Sequence, residues 1–187
     1  MLKYYNYISG EKVPTMSAKL SWSHYDEVLK FDNLKKITYY LNISIEKNLS
    51  VRELRNRIKN HEYERLPNET KNKLITKTKE DITDLIKEPI IIKNTNHYEI
   101  ISEKTLQKLI LEDIPSFLDE LGTNFTFIRN EYKIKIGNNY NYIDLLLYNI
   151  KFKCYVVLEL KITELKKEHI GQIQTYMNYI DKNIKTI

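Results

Sequence analysis

Asp144, Glu159 and Lys161 stand where strands ordinarily carry apolar residues. They interrupt Tyr142-Ile143-Asp144-Leu145-Leu146-Leu147-Tyr148 and Val156-Val157-Leu158-Glu159-Leu160-Lys161-Ile162, the two most strand-like segments of the chain. A carboxylate or ammonium buried without a partner costs several kcal/mol, roughly, so these positions demand a compensating ligand. A divalent cation and a phosphate would supply one. Side chains alternate along a strand, so Glu159 and Lys161 share one face, about 7 Å apart at their Cα atoms, while Leu158, Leu160 and Ile162 take the other. Pairing of the two segments can bring the Asp144 carboxylate beside Glu159. Two converging carboxylates repel, which favours a cation between them, and hard oxygen ligands suit magnesium or manganese with several waters retained. Such a site activates water against a phosphodiester, with Lys161 stabilising the charge that develops on the phosphate. The chemistry is hydrolysis without a covalent intermediate. An Asp followed by Glu-x-Lys is an unspecific pattern by itself; its setting in two consecutive apolar strands ahead of a helix gives it weight.

Several elements must position these groups. Residues 1–15 are polar and aromatic without periodicity and read as an N-terminal arm. From Ser21 to Lys87 the pattern is helical. Ser50-Val51-Arg52-Glu53 has the form of a capping box, and the helix it opens carries Val51, Leu54 and Ile58 on one face with Arg52, Arg55 and Lys59 on its flank. Pro67-Asn68-Glu69-Thr70 breaks the pattern, and a second polar helix is expected over about 71–87, ended by Glu88-Pro89. Ile90 to Tyr98 reads as a connector with a short extended element. This divides the chain into a helical, basic domain over 16–89 and a second domain over 98–187.

In the second domain Ser102 can cap a helix whose stripe is Leu106, Leu109, Ile110, Ile114, Phe117, Leu118 and Leu121, with Gly122 as its stop and a kink or restart at Pro115. The hydrophobic period then changes from about 3.6 to 2. Phe125 to Ile136 and Tyr140 to Asn149 read as strands joined by a turn containing Gly137-Asn138-Asn139, and Lys153 to Ile162 as a third strand. His169 to Ile180 returns to helix, with Ile170, Ile173, Met177 and Ile180 as its apolar face. Gln172 and Tyr176, four apart, share a different face, with His169 on the same side. The order is αβββα.

Charge distribution points to a partner. Between Lys47 and Lys79 ten basic residues face four acidic ones, net +6, whereas the whole chain is +5. A basic helical segment is the footprint of a nucleic-acid surface, and Arg52, Arg55, Arg57 and Lys59 are the candidate phosphate contacts. A solvated cationic face explains the charge equally well. No apolar run approaches the roughly 18 residues a membrane span needs, and the N-terminus lacks a secretory signal, so cytoplasmic residence is the expectation. The lone Cys154 reads as a small buried hydrophobe.

Asp144, Glu159-Leu160-Lys161 and Gln172-x-x-x-Tyr176 together resemble the PD-(D/E)XK nuclease superfamily, including the Gln-x-x-x-Tyr helix motif of its RecB-like members. Leu20-Ser21-Trp22-Ser23-His24-Tyr25, Ser50-Val51-Arg52-Glu53-Leu54-Arg55, Tyr63-Glu64-Arg65-Leu66, Phe117-Leu118-Asp119-Glu120-Leu121-Gly122 and Tyr142-Ile143-Asp144-Leu145-Leu146 look like the successive blocks of the YhcG-type nucleases. The resemblance implies an α+β or α/β chain in which a helical domain precedes a restriction-endonuclease-like αβββα core. It implies Asp144 and Glu159 as metal ligands, Lys161 as the catalytic lysine, and Gln172 with Tyr176 as supporting site residues. Glu112 matches the place where some superfamily members add a third carboxylate. The activity implied is magnesium- or manganese-dependent hydrolysis of phosphodiester bonds, in DNA. Ile143 stands in place of the proline of the family's name, which ligates nothing. The superfamily core continues into another strand, whereas this chain stops at Ile187, so the C-terminal part is expected to be truncated, or the sheet edge completed by a second copy or a partner. The alternative is a nucleic-acid-binding or assembly protein that keeps the fold without cutting; the three intact charged residues favour cleavage, the missing strand the alternative.

Overall fold

The computed structural model describes residues 19–76 and 81–184. The expected arm over 1–15 lies outside them, as do Lys77 and Lys79. The chain forms two compact units, one reaching Pro89 and the other starting at Ile90.

In the first unit, helices α1 (Trp22–Val28), α2 (Leu34–Glu46), α3 (Val51–Lys59) and α4 (Asn68–Thr76) are followed by a 3-10 turn over Ile82–Leu85. The expected helix over 71–87 is therefore corrected: it starts at Asn68, directly after Pro67, and a separate turn follows. That turn has its own start, because the Asp81 side chain accepts from the Ile82 amide while the Asp81 amide donates to Asp84. The capping box at α3 forms as expected, with the Ser50 amide donating to Glu53 Oε2 at 2.7 Å and the Glu53 amide donating to Ser50 Oγ at 3.3 Å. Leu20, Val28, Ile37, Tyr40, Leu41, Ile43, Leu49, Leu54, Tyr63 and Leu66 make the core. Beside it the buried Glu62 carboxylate accepts from Tyr39 Oη at 2.7 Å and from Arg57 at 2.9 Å, with Lys87 at 3.4 Å.

The second unit contains α5 (Glu103–Glu112), α6 (Ile114–Leu121), β1 (Phe125–Ile136), β2 (Asn139–Asn149), β3 (Cys154–Leu158) and α7 (Lys167–Asn183). The class is α+β, and the three strands form an antiparallel meander in the order β1-β2-β3. Ser102 caps α5 by accepting from the Thr105 amide at 3.0 Å, and the helix restarts at Asp113, which accepts from the Ser116 amide with Pro115 in the first turn of α6. Gly122 closes α6 with φ 144°, a value that suits a residue without Cβ. No strand forms over 90–98, contrary to expectation. There the Asn94 side chain binds both the amide and the carbonyl of Tyr98 and folds the segment into a turn.

Gly137, at φ 60°, makes the two-residue turn that pairs Ile136 with Asn139. On β2, Leu145, Leu146 and Leu147 are all buried at 1% exposure or less, so this part of the central strand is covered on both faces. Its continuous apolar run is the sequence signature of that position. α6 packs on β1, and α7 packs on β3 and β1. The face α7 buries is not Ile170 and Met177, which are 54% and 51% exposed; Tyr176 and Ile180 instead join Ile134, Ile143 and Leu146 in the core. Gln172 lies one turn ahead of Tyr176, and with the helix in this rotation it bonds to Glu159.

Candidate active site

β3 ends at Leu158, short of the Ile162 expected from alternation. Side chains account for the difference. Leu145 pairs with Leu158, so Asp144 and Glu159 would be the next pair of the ladder. The Asp144 carbonyl instead accepts from Gln107 Nε2 of α5 at 3.2 Å, and the Asp144 carboxylate takes the Leu160 amide at 2.8 Å. Glu159-Leu160-Lys161 therefore leaves the sheet as a tethered segment just past its edge.

The charged side chains still converge. Lys161 Nζ donates to Glu159 Oε1 at 3.0 Å and to its neighbour's carbonyl, Leu160 O, at 3.1 Å. Gln172 Nε2 also donates to Glu159 Oε1, at 3.0 Å, and to Tyr176 Oη at 2.8 Å. The Glu159 side chain is only 8% exposed, and its second oxygen, Oε2, is buried with no hydrogen-bond partner. Burial pushes the Glu159 carboxyl above the usual carboxylate range, and the nearby Asp144 charge adds to the shift against the pull of Lys161. Burial acts to depress the Lys161 ammonium, but its bond to Glu159 and the charges of Glu159, Glu103 and Asp144 outweigh it and leave the pKa raised. Lys161 is thus a cation at neutral pH, suited to meeting an anion rather than to taking a proton.

The five central candidates, Asp144, Glu159, Lys161, Gln172 and Tyr176, lie in one bonded cluster. Glu112 does not join it. It lies at the far end of α5, where Asn96 Nδ2 and Tyr98 Oη donate to its carboxylate. The carboxylate that α5 does supply is Glu103, at the helix start, 3.5 Å from Lys161 Nζ. Glu103 and Gln107 are four residues apart and so share a helix face, a signal that a first-turn glutamate hides because acids there commonly complement the helix dipole. His169 serves its own helix by accepting from the Lys166 amide.

Among the described residues no group of three or more His, Cys, Asp or Glu converges as a metal site. The Asp144 and Glu159 pair nevertheless fits a hard divalent cation: two carboxylate donors, one buried oxygen without a partner, and a carboxyl whose charge burial and the nearby Asp144 disfavour, a penalty that a cation would relieve.

The cationic candidates of α3 part company. Arg57 is turned inward, its side chain 12% exposed and paired with Glu62 at 2.9 Å, so the expectation that it contacts phosphate is corrected. Arg55 Nε donates to Glu27 at 2.7 Å, while Arg52 and Lys59 are exposed.

The model of the YhcG PDDEXK nuclease domain matches residues 83–186, more than half of the chain, and that of the DUF1016 N-terminal domain matches residues 1–65. The chain belongs to the YhcG PDDEXK nuclease domain family. Among curated relatives of this nuclease family, the Escherichia coli (strain K12) protein named "Putative nuclease YhcG" is 25% identical over 174 residues, which cover 88% of this chain and 46% of that protein. The chain thus spans less than half the length of this curated relative. No solved structure matches it. Among the described residues no helix is long and apolar enough to cross a membrane.

Proposed function

We propose that this member of the nuclease family hydrolyses DNA phosphodiester bonds with a divalent cation, magnesium or manganese, held by Asp144 and Glu159. The observation that carries the reading is the buried, unpartnered Oε2 of Glu159, on a carboxylate already bonded by Lys161 and Gln172. When bound, the cation supplies Lewis-acid activation of water and of the phosphate. Gln172 fixes the Glu159 carboxylate through Oε1 and leaves Oε2 for the site, and Tyr176 Oη accepts the amide's other contact. Such supporting bonds orient a ligand and commonly matter 10–100-fold, roughly, for metal affinity or activity. Lys161, held protonated, would exchange part of its bond to Glu159 for the scissile phosphate and stabilise the charge that builds there. Glu103 keeps the ammonium from swinging away in the meantime.

Purified wild type should cleave DNA, offered side by side as plasmid, short duplex and short single strand, in magnesium but not in EDTA, and both Glu159→Ala and Lys161→Ala should abolish cleavage. Cleavage that persists in both variants sinks the site. Faster turnover of RNA of matched sequence sinks the assignment to DNA.

A further inference from the structure

The β1–β2 hairpin carries a cationic and aromatic face that begins two residues from Asp144. Lys133 pairs with Tyr142 and Lys135 with Tyr140, so alternation puts these four side chains on one face, while Ile134 and Ile143, buried at 1% or less, turn to the other. Tyr140 and Tyr142 are 57% and 52% exposed although they belong to the central strand. Lys133 leans across the hairpin with Nζ 3.9 Å from the centre of the Tyr140 ring, and Lys135 Nζ lies 5.9 Å from it. Neither lysine has a carboxylate at ion-pair distance among the described residues, and the Tyr142 ring meets no other ring or cation there. The face therefore offers two unneutralised cations, one of them pre-ordered by an aromatic ring, beside a vacant ring. Along the strand Tyr142 is about 7 Å from Asp144, roughly one nucleotide step from the site.

We infer that this hairpin face is the track for single-stranded nucleic acid leading to the active site, Lys133 and Lys135 meeting phosphates and Tyr142 stacking on an unpaired base. The inference rests on the nuclease reading for its direction and deepens it, because a base inside a duplex cannot reach such a ring. The substrate class is thus a strand with unpaired nucleotides next to the scissile bond. Sugar identity is left to the test, since both DNA and RNA present the same phosphate and ring faces.

Fluorescence anisotropy of the full chain in EDTA reads binding without cleavage, using labelled single strands of about 12 nucleotides, as DNA and as RNA, and a blunt DNA duplex. Wild type should prefer the single strand. Tyr142→Ala should weaken that binding about 10-fold or more, Tyr142→Phe should stay within about 2-fold, and Lys133→Gln with Lys135→Gln should lower the salt slope by about 1.4. Unchanged thermal melts verify that these surface variants fold. The same Tyr142 dependence on RNA supports the platform. Equal binding by wild type and Tyr142→Ala overturns it, and DNA cleavage that survives in that case leaves the nuclease reading standing. Hairpin-dependent binding by a wild type that cuts nothing has the opposite meaning: the track stands and the nuclease reading falls. Absence of any binding to the single strands overturns the track, and cleavage in magnesium then decides the nuclease reading on its own.

Discussion

Lys161→Met tests the electrostatics of the site without relying on turnover. Methionine keeps most of the stem's volume and removes only the ammonium. In wild type that ammonium lies 3.0 Å from Glu159 Oε1, with the two side chains 15% and 8% exposed. Without it the Glu159 carboxylate keeps Gln172 as a donor, but its other oxygen stays buried and unpartnered beside Asp144. Removing one partner of a buried ion pair costs about 3–5 kcal/mol; because Gln172 persists, the lower end, about 3 kcal/mol, is expected at pH 8 in EDTA. For a unit of this size that is a fall in Tm of about 10–20 °C. The pH dependence has a definite sign. The folded state raises the Glu159 pKa, chiefly by burial, so folded protein holds this proton more tightly than unfolded chain. The penalty is absent below the ordinary carboxylate value, grows as pH climbs toward the raised folded value, and is complete above it. The gap between wild type and variant should therefore close toward pH 4, roughly, and open as pH rises. Magnesium at about 100 times its Kd should return about 2.7 kcal/mol to the variant. Melting curves of the full chain across this pH range, with EDTA and with magnesium, measure all three effects. A variant that melts like wild type at pH 8 in EDTA, or a gap that does not change with pH, refutes the reasoning.

Gln172→Ala should reduce cleavage about 10–100-fold and raise the magnesium concentration needed for half-maximal rate, read from metal titrations of initial velocity. Arg57→Ala should destabilise the first unit by about 2–3 kcal/mol in urea unfolding, since Glu62 loses one of its cations. By contrast Arg52→Ala and Lys59→Ala should lie within about 0.5 kcal/mol of wild type in the same assay. Ser50→Ala should cost about 1 kcal/mol through loss of the capping box, measured the same way. Glu112→Ala should leave the cleavage rate within about 2-fold of wild type, because its contacts are to Asn96 and Tyr98 and not to the site.

Features governed by neighbours in sequence were legible. The Ser50 and Ser102 caps, the restart at Pro115, the stop at Gly122 and the hairpin turn at Gly137 each depend on a few adjacent residues, and they fold as those residues dictate. The continuous apolar run of β2 was equally readable, because burial on both faces removes alternation. What escaped was decided by tertiary partners. Nothing local marks Leu158 as the last ladder residue; Gln107 and the Asp144 carboxylate, both distant in sequence, end it. The rotation of α7 is decided by the sheet face it meets: Tyr176 and Ile180 pack on Ile134, Ile143 and Leu146, and Ile170 and Met177 are left exposed. Arg57 has the composition of a surface cation and the partner of a core one, and Glu62 becomes visible as that partner only in the fold. Glu112 and Glu103 sit on the same helix, and only the position of Lys161 distinguishes them.

The capture of the Leu160 amide by Asp144 changes how mutations at this aspartate must be interpreted. Removing its carboxylate frees a backbone donor and unties the stretch from Glu159 to Lys166 from the sheet, so an inactive Asp144→Ala protein reports a lost anchor as much as a lost ligand. Asp144→Asn keeps an acceptor for that amide while removing the charge, and the comparison of the two separates scaffolding from chemistry. On the proposed reading one side chain would both ligate the cation and tie down the segment that carries Glu159 and Lys161, so truncating it removes both functions at once whereas changing its charge alone removes only the first.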